Sequence, residues 1–149
     1  MDDSLMEWHR NSCNRLLTEL AVTLKLSRDD LIRTRHLIVE GIDIGLVDYG
    51  ELDLGRITLF MDLGSFPESQ NTAVYRQLLE QNLALPRTFG TFALNPDNGH
   101  AALLYSLEFS DELDGKHLAS IIGELVEQYR TIEQSLAQQY DFSKNAISV

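Results

Sequence analysis

The most constraining feature of the sequence is a change of period in its middle. From Arg56 to Leu63, the residues Ile57, Leu59, Met61 and Leu63 alternate with Arg56, Thr58, Phe60 and Asp62. A repeat of two places one set on a single face of a β-strand, and no helix can do the same. Either side of it the period changes. Before it, Leu5, Trp8, Leu16, Leu20 and Leu24 recur at helical spacing, with Leu17 and Ala21 widening the stripe. After it, Leu118, Ile121, Ile122, Leu125, Tyr129, Ile132 and Leu136 define one face of a long final helix beginning at Asp114. The chain must therefore bury a sheet under helices drawn from both ends of its own sequence.

The remaining elements follow from local chemistry. Ser4 with Glu7 forms a capping-box pattern, which predicts a first helix from Ser4 to Leu24. Ile42, Ile44 and Leu46 alternate with Asp43, Gly45 and Val47, and Gly41 either splits this run into two short strands or marks a bulge. Asn71 or Thr72 is expected to cap a shorter helix through Asn82 that carries Val74, Leu78 and Leu79. Thr88 to Leu94 and His100 to Phe109 read as strands joined by Asn95-Pro96-Asp97-Asn98-Gly99, where proline sets φ early and Asn-Gly accepts positive φ late. The expected fold is α+β, a twisted antiparallel sheet with three helices in the order α-β-β-β-α-β-β-α. It forms one domain over residues 1–140, with 141–149 a flexible tail.

Charge and chemistry narrow the function. With 12 Lys and Arg against 23 Asp and Glu, the net charge of −11 opposes both a nucleic-acid partner and docking on an anionic membrane. No run approaches the roughly 20 apolar residues of a membrane span. The acidic Met-Asp-Asp-Ser start does not read as a signal peptide. The lone Cys13 cannot form an intrachain disulfide, which suits a reducing cytosol. His9, His36, His100 and His117 show no i, i+3 or i, i+4 pairing, Gly115-Lys116 lacks the rest of a phosphate loop, and Asp97-Asn98-Gly99 lacks the other ligands of a calcium loop. No catalytic, metal or cofactor residues are assigned. An enzyme would need His36 or Cys13 to meet a carboxylate in a deep cleft.

The sheet faces are more informative. Phe60 lies opposite Ile57, Leu59 and Met61, and Ala102 and Leu104 lie opposite Leu103 and Tyr105. Both faces are therefore covered, by the chain's own helices or by a second chain. The short helix with Val74, Tyr75, Leu78 and Leu79 suits symmetric self-association.

These elements, with Leu63-Gly64-Ser65-Phe66-Pro67, Leu78-Leu79-Glu80-Gln81-Asn82-Leu83, Phe89-Gly90-Thr91-Phe92-Ala93-Leu94 and Ala101-Ala102-Leu103-Leu104-Tyr105, make the chain similar to the class I type III secretion chaperones, the Tir-chaperone (CesT-like) family. The resemblance runs from Asn14 to Leu136. It implies a non-enzymatic homodimer, without cofactor, in the bacterial cytoplasm. Such a dimer binds the N-terminal region of one or a few secreted effectors, holds it extended, and has the export ATPase as a further partner. Carried onto this chain, Tyr75, Leu78, Leu79, Phe89 and Phe92 would form the dimer interface, and Leu16, Leu20, Val47 and Phe60 would line the effector groove. Leu16 and Leu20 also suit a plain core role. The basic stretch Lys25 to His36 departs from the family pattern, and reads as an extra helical turn or as a loop shaping a groove. A regulatory or sensing domain of the YbjN-like kind is the alternative with a similar arrangement.

Overall fold

The first helix, α1, runs Asp3–Leu24, so Ser4 and Glu7 sit inside its first turns rather than around its cap. Its buried face is His9, Cys13, Leu16, Leu17, Leu20 and Ala21. Leu5 and Trp8, expected to share that face, remain half exposed. Lys25 takes the left-handed conformation (φ 58°), and the Leu26 N–H donates to the Ala21 carbonyl, closing the helix end. The basic stretch that follows is an extra helix, α2 (Arg28–Thr34), so that the described residues hold four helices where three were expected. Ser27 caps α2 by accepting the Asp30 N–H, Asp29 and Asp30 favour the helix dipole, and Arg35 in the left-handed region ends it.

The computed structural model describes residues 3–86 and 90–140. Its strands are β1 (His36–Val39), β2 (Ile42–Val47), β3 (Arg56–Gly64), β4 (Thr91–Leu94) and β5 (Ala101–Glu108). They form one antiparallel sheet in the order β1-β2-β3-β5-β4, so β1 and β4 are its edges. Gly41 does split its run: Glu40 and Gly41, both at positive φ, make a two-residue turn that pairs Val39 with Ile42. Positive φ at both central positions gives the turn whose twist matches the flanking strands. Asn95-to-Gly99 is the predicted hairpin, closed by Asn95 N–H to the His100 carbonyl at 2.8 Å and Gly99 N–H to the Asn95 carbonyl at 2.7 Å.

The third helix, α3, spans Glu68–Ala84 and so starts earlier than the expected Asn71 or Thr72. Pro67 occupies the cap position with φ −54°, a torsion already suited to a helix start, and its carbonyl accepts the Gln70 and Asn71 N–H groups. The last helix, α4, spans Gly115–Gln139 and is capped by Asp114, whose Oδ1 accepts the His117 N–H at 2.8 Å. The expected tail, 141–149, lies outside the described residues.

The described residues divide into two compact units, within Met1–Leu59 plus Ser106–Glu124 and within Phe60–Tyr105 plus Leu125–Val149. The first has a core of Leu16, Leu17 and Leu20 from α1 with Ile44, Ile57, Leu59, Leu118 and Ile122. Gly115 lets the start of α4 approach α1 closely: a Cβ there would fall 2.3 Å from the Glu19 carbonyl carbon. The second unit buries Met61, Leu63, Val74, Leu78, Leu103, Val126 and Tyr129. The Tyr129 hydroxyl donates to the Asp62 carbonyl at 2.8 Å.

Candidate functional site

In the second unit, α3 carries two apolar stripes one residue apart. Val74 and Leu78 are buried, whereas Leu79 is 66% and Leu83 91% exposed. Water does not hold such a stripe favourably, at about 25 cal/mol per Å² of apolar surface. Tyr75, Leu78, Leu79 and Phe92, four of the five residues assigned from sequence to a dimer interface, meet around a small cavity of about 60 Å³ completed by Ala93 and Leu94. That volume is well below the roughly 300 Å³ of a small-molecule pocket. Phe89 lies outside the described residues.

The same face borders the sheet edge. Asn82 on α3 reaches β4 and bonds both backbone groups of Phe92: its Nδ2 donates to the carbonyl at 2.9 Å and its Oδ1 accepts the N–H at 2.7 Å. A side-chain amide thus stands where a neighbouring strand's peptide would be. Tyr75 adds a bond from its hydroxyl to the Gly99 carbonyl at 3.1 Å, fixing α3 against the hairpin. The result is a rigid apolar shelf of α3 and β4 with leucines pointing outward.

The residues assigned to an effector groove are dispersed. Leu16 and Leu20 are enclosed in the core of the first unit, 1% and 0% exposed. Val47, at the end of β2 in the first unit, and Phe60, on β3 in the second, are half-buried.

Sequence reasoning missed a polar network in the first unit, because its members are separated along the chain and no local spacing unites them. His9, almost fully buried, accepts the Gly55 N–H on Nδ1 at 2.9 Å, so its Nε2–H donates to Asp48 Oδ1 at 2.5 Å. Asp48 also accepts the Gly50 N–H, and the Arg35 guanidinium lies 3.9 Å from its other oxygen while donating to Cys13 Sγ at 3.0 Å. Burial opposes ionisation of Asp48, but the bonds from His9 and Gly50 and the charge of Arg35 outweigh it and hold the carboxyl below its ordinary range. Burial pushes the Cys13 thiol up, with Asp48 adding to the effect and Arg35 only partly opposing it.

A thiol kept protonated and fully enclosed is a poor nucleophile. The network instead ties α1 to the segment that follows β2. The His36 ring lies 3.6 Å from the exposed Asp43 on the surface of the β1–β2 hairpin. His100 donates from Nδ1 to Asp62 at 2.9 Å, a pairing that satisfies a buried imidazole. Among the described residues, no three His, Cys, Asp or Glu side chains gather as a metal site. No helix among them is long and apolar enough to cross a membrane.

Comparison with known proteins gives this geometry a context. The profile of the Tir chaperone protein (CesT) family matches residues 15–133. Similar folds occur in the ExsC–ExsE complex (TM-score 0.66, 19% identity, covering 83% of this chain and 92% of that one). They occur also in the HopA1–SchA chaperone–effector complex (0.60, 17%, 90% and 98%) and in the ExoT–SpcS complex from Pseudomonas aeruginosa (0.55, 17%, 87% and 97%). No sequence among the curated proteins matches.

Proposed function

The chain belongs to the Tir chaperone protein (CesT) family, and from that membership we infer that it serves as a type III secretion effector chaperone. The carrying observation is the family match across residues 15–133, most of the chain. In this reading the protein works without catalysis in the bacterial cytoplasm. It binds the N-terminal chaperone-binding segment of one or a few effectors and keeps that segment extended, soluble and ready for the export apparatus, whose ATPase is a further partner.

The physics suits such work. An unfolded segment can set side chains into apolar surface while its backbone adds to a sheet edge. Many weak contacts along its length then offset the entropy of ordering it. We place the dimer contact on the shelf of α3 and β4, where Tyr75 and Leu79 border the cavity over Leu78 and Phe92. A second copy of that shelf would cover Leu79 and Leu83 by the same surface on both partners, as a two-fold axis requires. Val47 and Phe60 offer half-buried apolar surface to the effector, with Leu16 and Leu20 supporting α1 from within. The excess of 23 acidic over 12 basic residues favours encounter with basic effector segments.

The test is solution mass by light scattering, followed by co-purification with secreted proteins encoded beside the gene. A stable mass near twice 16.9 kDa and capture of one such protein through its N-terminal region are expected. A monomer at every concentration, together with no capture, would overturn the reading.

A further inference from the structure

The buried pair of His9 and Asp48 holds both ends of one surface segment. The 3-10 turn Gly50–Asp53, between β2 and β3, buries none of its own residues, and its Leu52 is 90% exposed. Besides touching α1, the segment is held through its ends. At one end Asp48 Oδ1 accepts the Gly50 N–H at 2.8 Å, and at the other His9 Nδ1 accepts the Gly55 N–H at 2.9 Å. The Gly55 carbonyl accepts the Phe109 N–H at 2.7 Å. Gly50 and Gly55 both stand at positive φ, 58° and 78°, so each end has a backbone that glycine adopts without strain and leaves as easily.

His9 is 1% exposed and uses both ring nitrogens, Nδ1 as acceptor and Nε2–H as donor to Asp48. That arrangement needs a neutral imidazole. A proton taken from water onto Nδ1 sets a second N–H against the Gly55 N–H, and two buried donors relieve that conflict only by parting. The ionisable groups around the ring do not remove it. Asp48, from the segment after β2, attracts a charged ring, but it already takes the Nε2–H and has the Arg35 guanidinium, from the end of α2, 3.9 Å from its other oxygen. Arg35 also donates to Cys13, one turn along α1 from His9. The segment after β5 presents the uncharged Phe109 ring, with centroids 5.3 Å apart, and the turn carries Glu51 and Asp53, the latter 3.9 Å from Arg56. We propose that His9 is an acid-sensitive latch. Neutral, it holds the Gly50–Gly55 segment closed; its second proton releases Gly55 and lets the segment swing on its two glycines.

The proton acts here as a ligand of the open state, so falling pH draws the population toward that state. An imidazole free of such a bond titrates near about pH 6.5, and below that value each pH unit raises the open fraction roughly tenfold. Trp8 reads the same event, because a Cβ on Gly55 would come within 3.2 Å of its ring and it is the single tryptophan of the chain. The latch belongs to the fold of the first unit and does not depend on the chaperone reading.

The test follows the Gly55 amide by hydrogen exchange in the full-length protein from about pH 7.5 to about pH 5.5, corrected for the intrinsic pH dependence of exchange. Its protection should fall roughly tenfold while amides of the β1–β2 ladder keep theirs. Trp8 emission should move to the red over the same range, reversibly. His9→Gln, whose side-chain amide offers an acceptor and a donor but takes up no proton, should abolish both changes. Gly55 protection indifferent to pH, a response that survives in His9→Gln, or ladder amides that lose protection in step with Gly55 would each overturn the latch. Should His9→Gln fail to fold, an NMR titration of the His9 ring in the wild type takes its place. Ring and Gly55 amide should then share one midpoint, and different midpoints overturn the assignment.

Discussion

Asn82 offers the sharpest test of the architecture, because one side chain closes one backbone position of an edge strand. Asn82→Ala removes two hydrogen bonds of 2.9 and 2.7 Å to Phe92. At about 1 kcal/mol net each, their loss costs about 2 kcal/mol. Alanine's better helix propensity returns about 0.5 kcal/mol, leaving a destabilisation of about 1.5 kcal/mol. With an m-value of about 2 kcal/mol/M, the urea midpoint should fall by about 0.7 M without a change in slope. The measurement is equilibrium unfolding followed by circular dichroism at matched protomer concentrations, since association would otherwise add to apparent stability. Asn82→Asp is the control. It keeps an acceptor for the Phe92 N–H but sets a carboxylate against the Phe92 carbonyl, so at neutral pH it should be no more stable than the alanine variant. An alanine variant within about 0.5 kcal/mol of wild type would refute the claim that Asn82 substitutes for a strand partner, because surface changes alone produce effects of that size.

Three further outcomes follow from the same structure. Asp48 has a folded-state pKa held below its unfolded value, so its contribution is complete above about pH 4 and is lost as pH falls through the folded value; Asp48→Asn should flatten that acid limb in a series of thermal melts. Gly115→Ala places a methyl 2.3 Å from the Glu19 carbonyl carbon, and should cost about 1–3 kcal/mol in chemical denaturation as α4 shifts off α1. Leu79→Lys sets a charge on the exposed stripe of α3, and should lower the light-scattering mass of the proposed dimer toward 16.9 kDa with the circular dichroism spectrum unchanged.

Much of the fold was legible in short-range pattern. The alternation through Ile57, Leu59, Met61 and Leu63, the Asn95-to-Gly99 turn, and the stripe of α4 each state their structure within a few residues. The start of α3 was not legible because Pro67 brings no side-chain cap, and a proline after a strand reads equally well as a terminator. On α3 the sequence reading places Leu79 on one side with Val74 and Leu78, whereas the structure buries Val74 and Leu78 and leaves Leu79 exposed with Leu83. Spacing alone could not say which stripe faces inward.

The sequence by itself determined the strands, the long helices and the family, but left α2 undecided between a helical turn and a loop, because periodicity, turn chemistry and capping act over distances of a few residues. Tertiary structure decided exposure and partnership. Leu16 and Leu5 look alike in a helical repeat, yet one is sealed in the core and the other is half in water. His9, Cys13, Arg35 and Asp48 share no local spacing along the chain, and become one network only when α1 packs beside the ends of α2 and β2. Burial and hydrogen bonding depend on what lies across space from a residue, and a neighbour 39 positions away leaves no local trace in the order of amino acids.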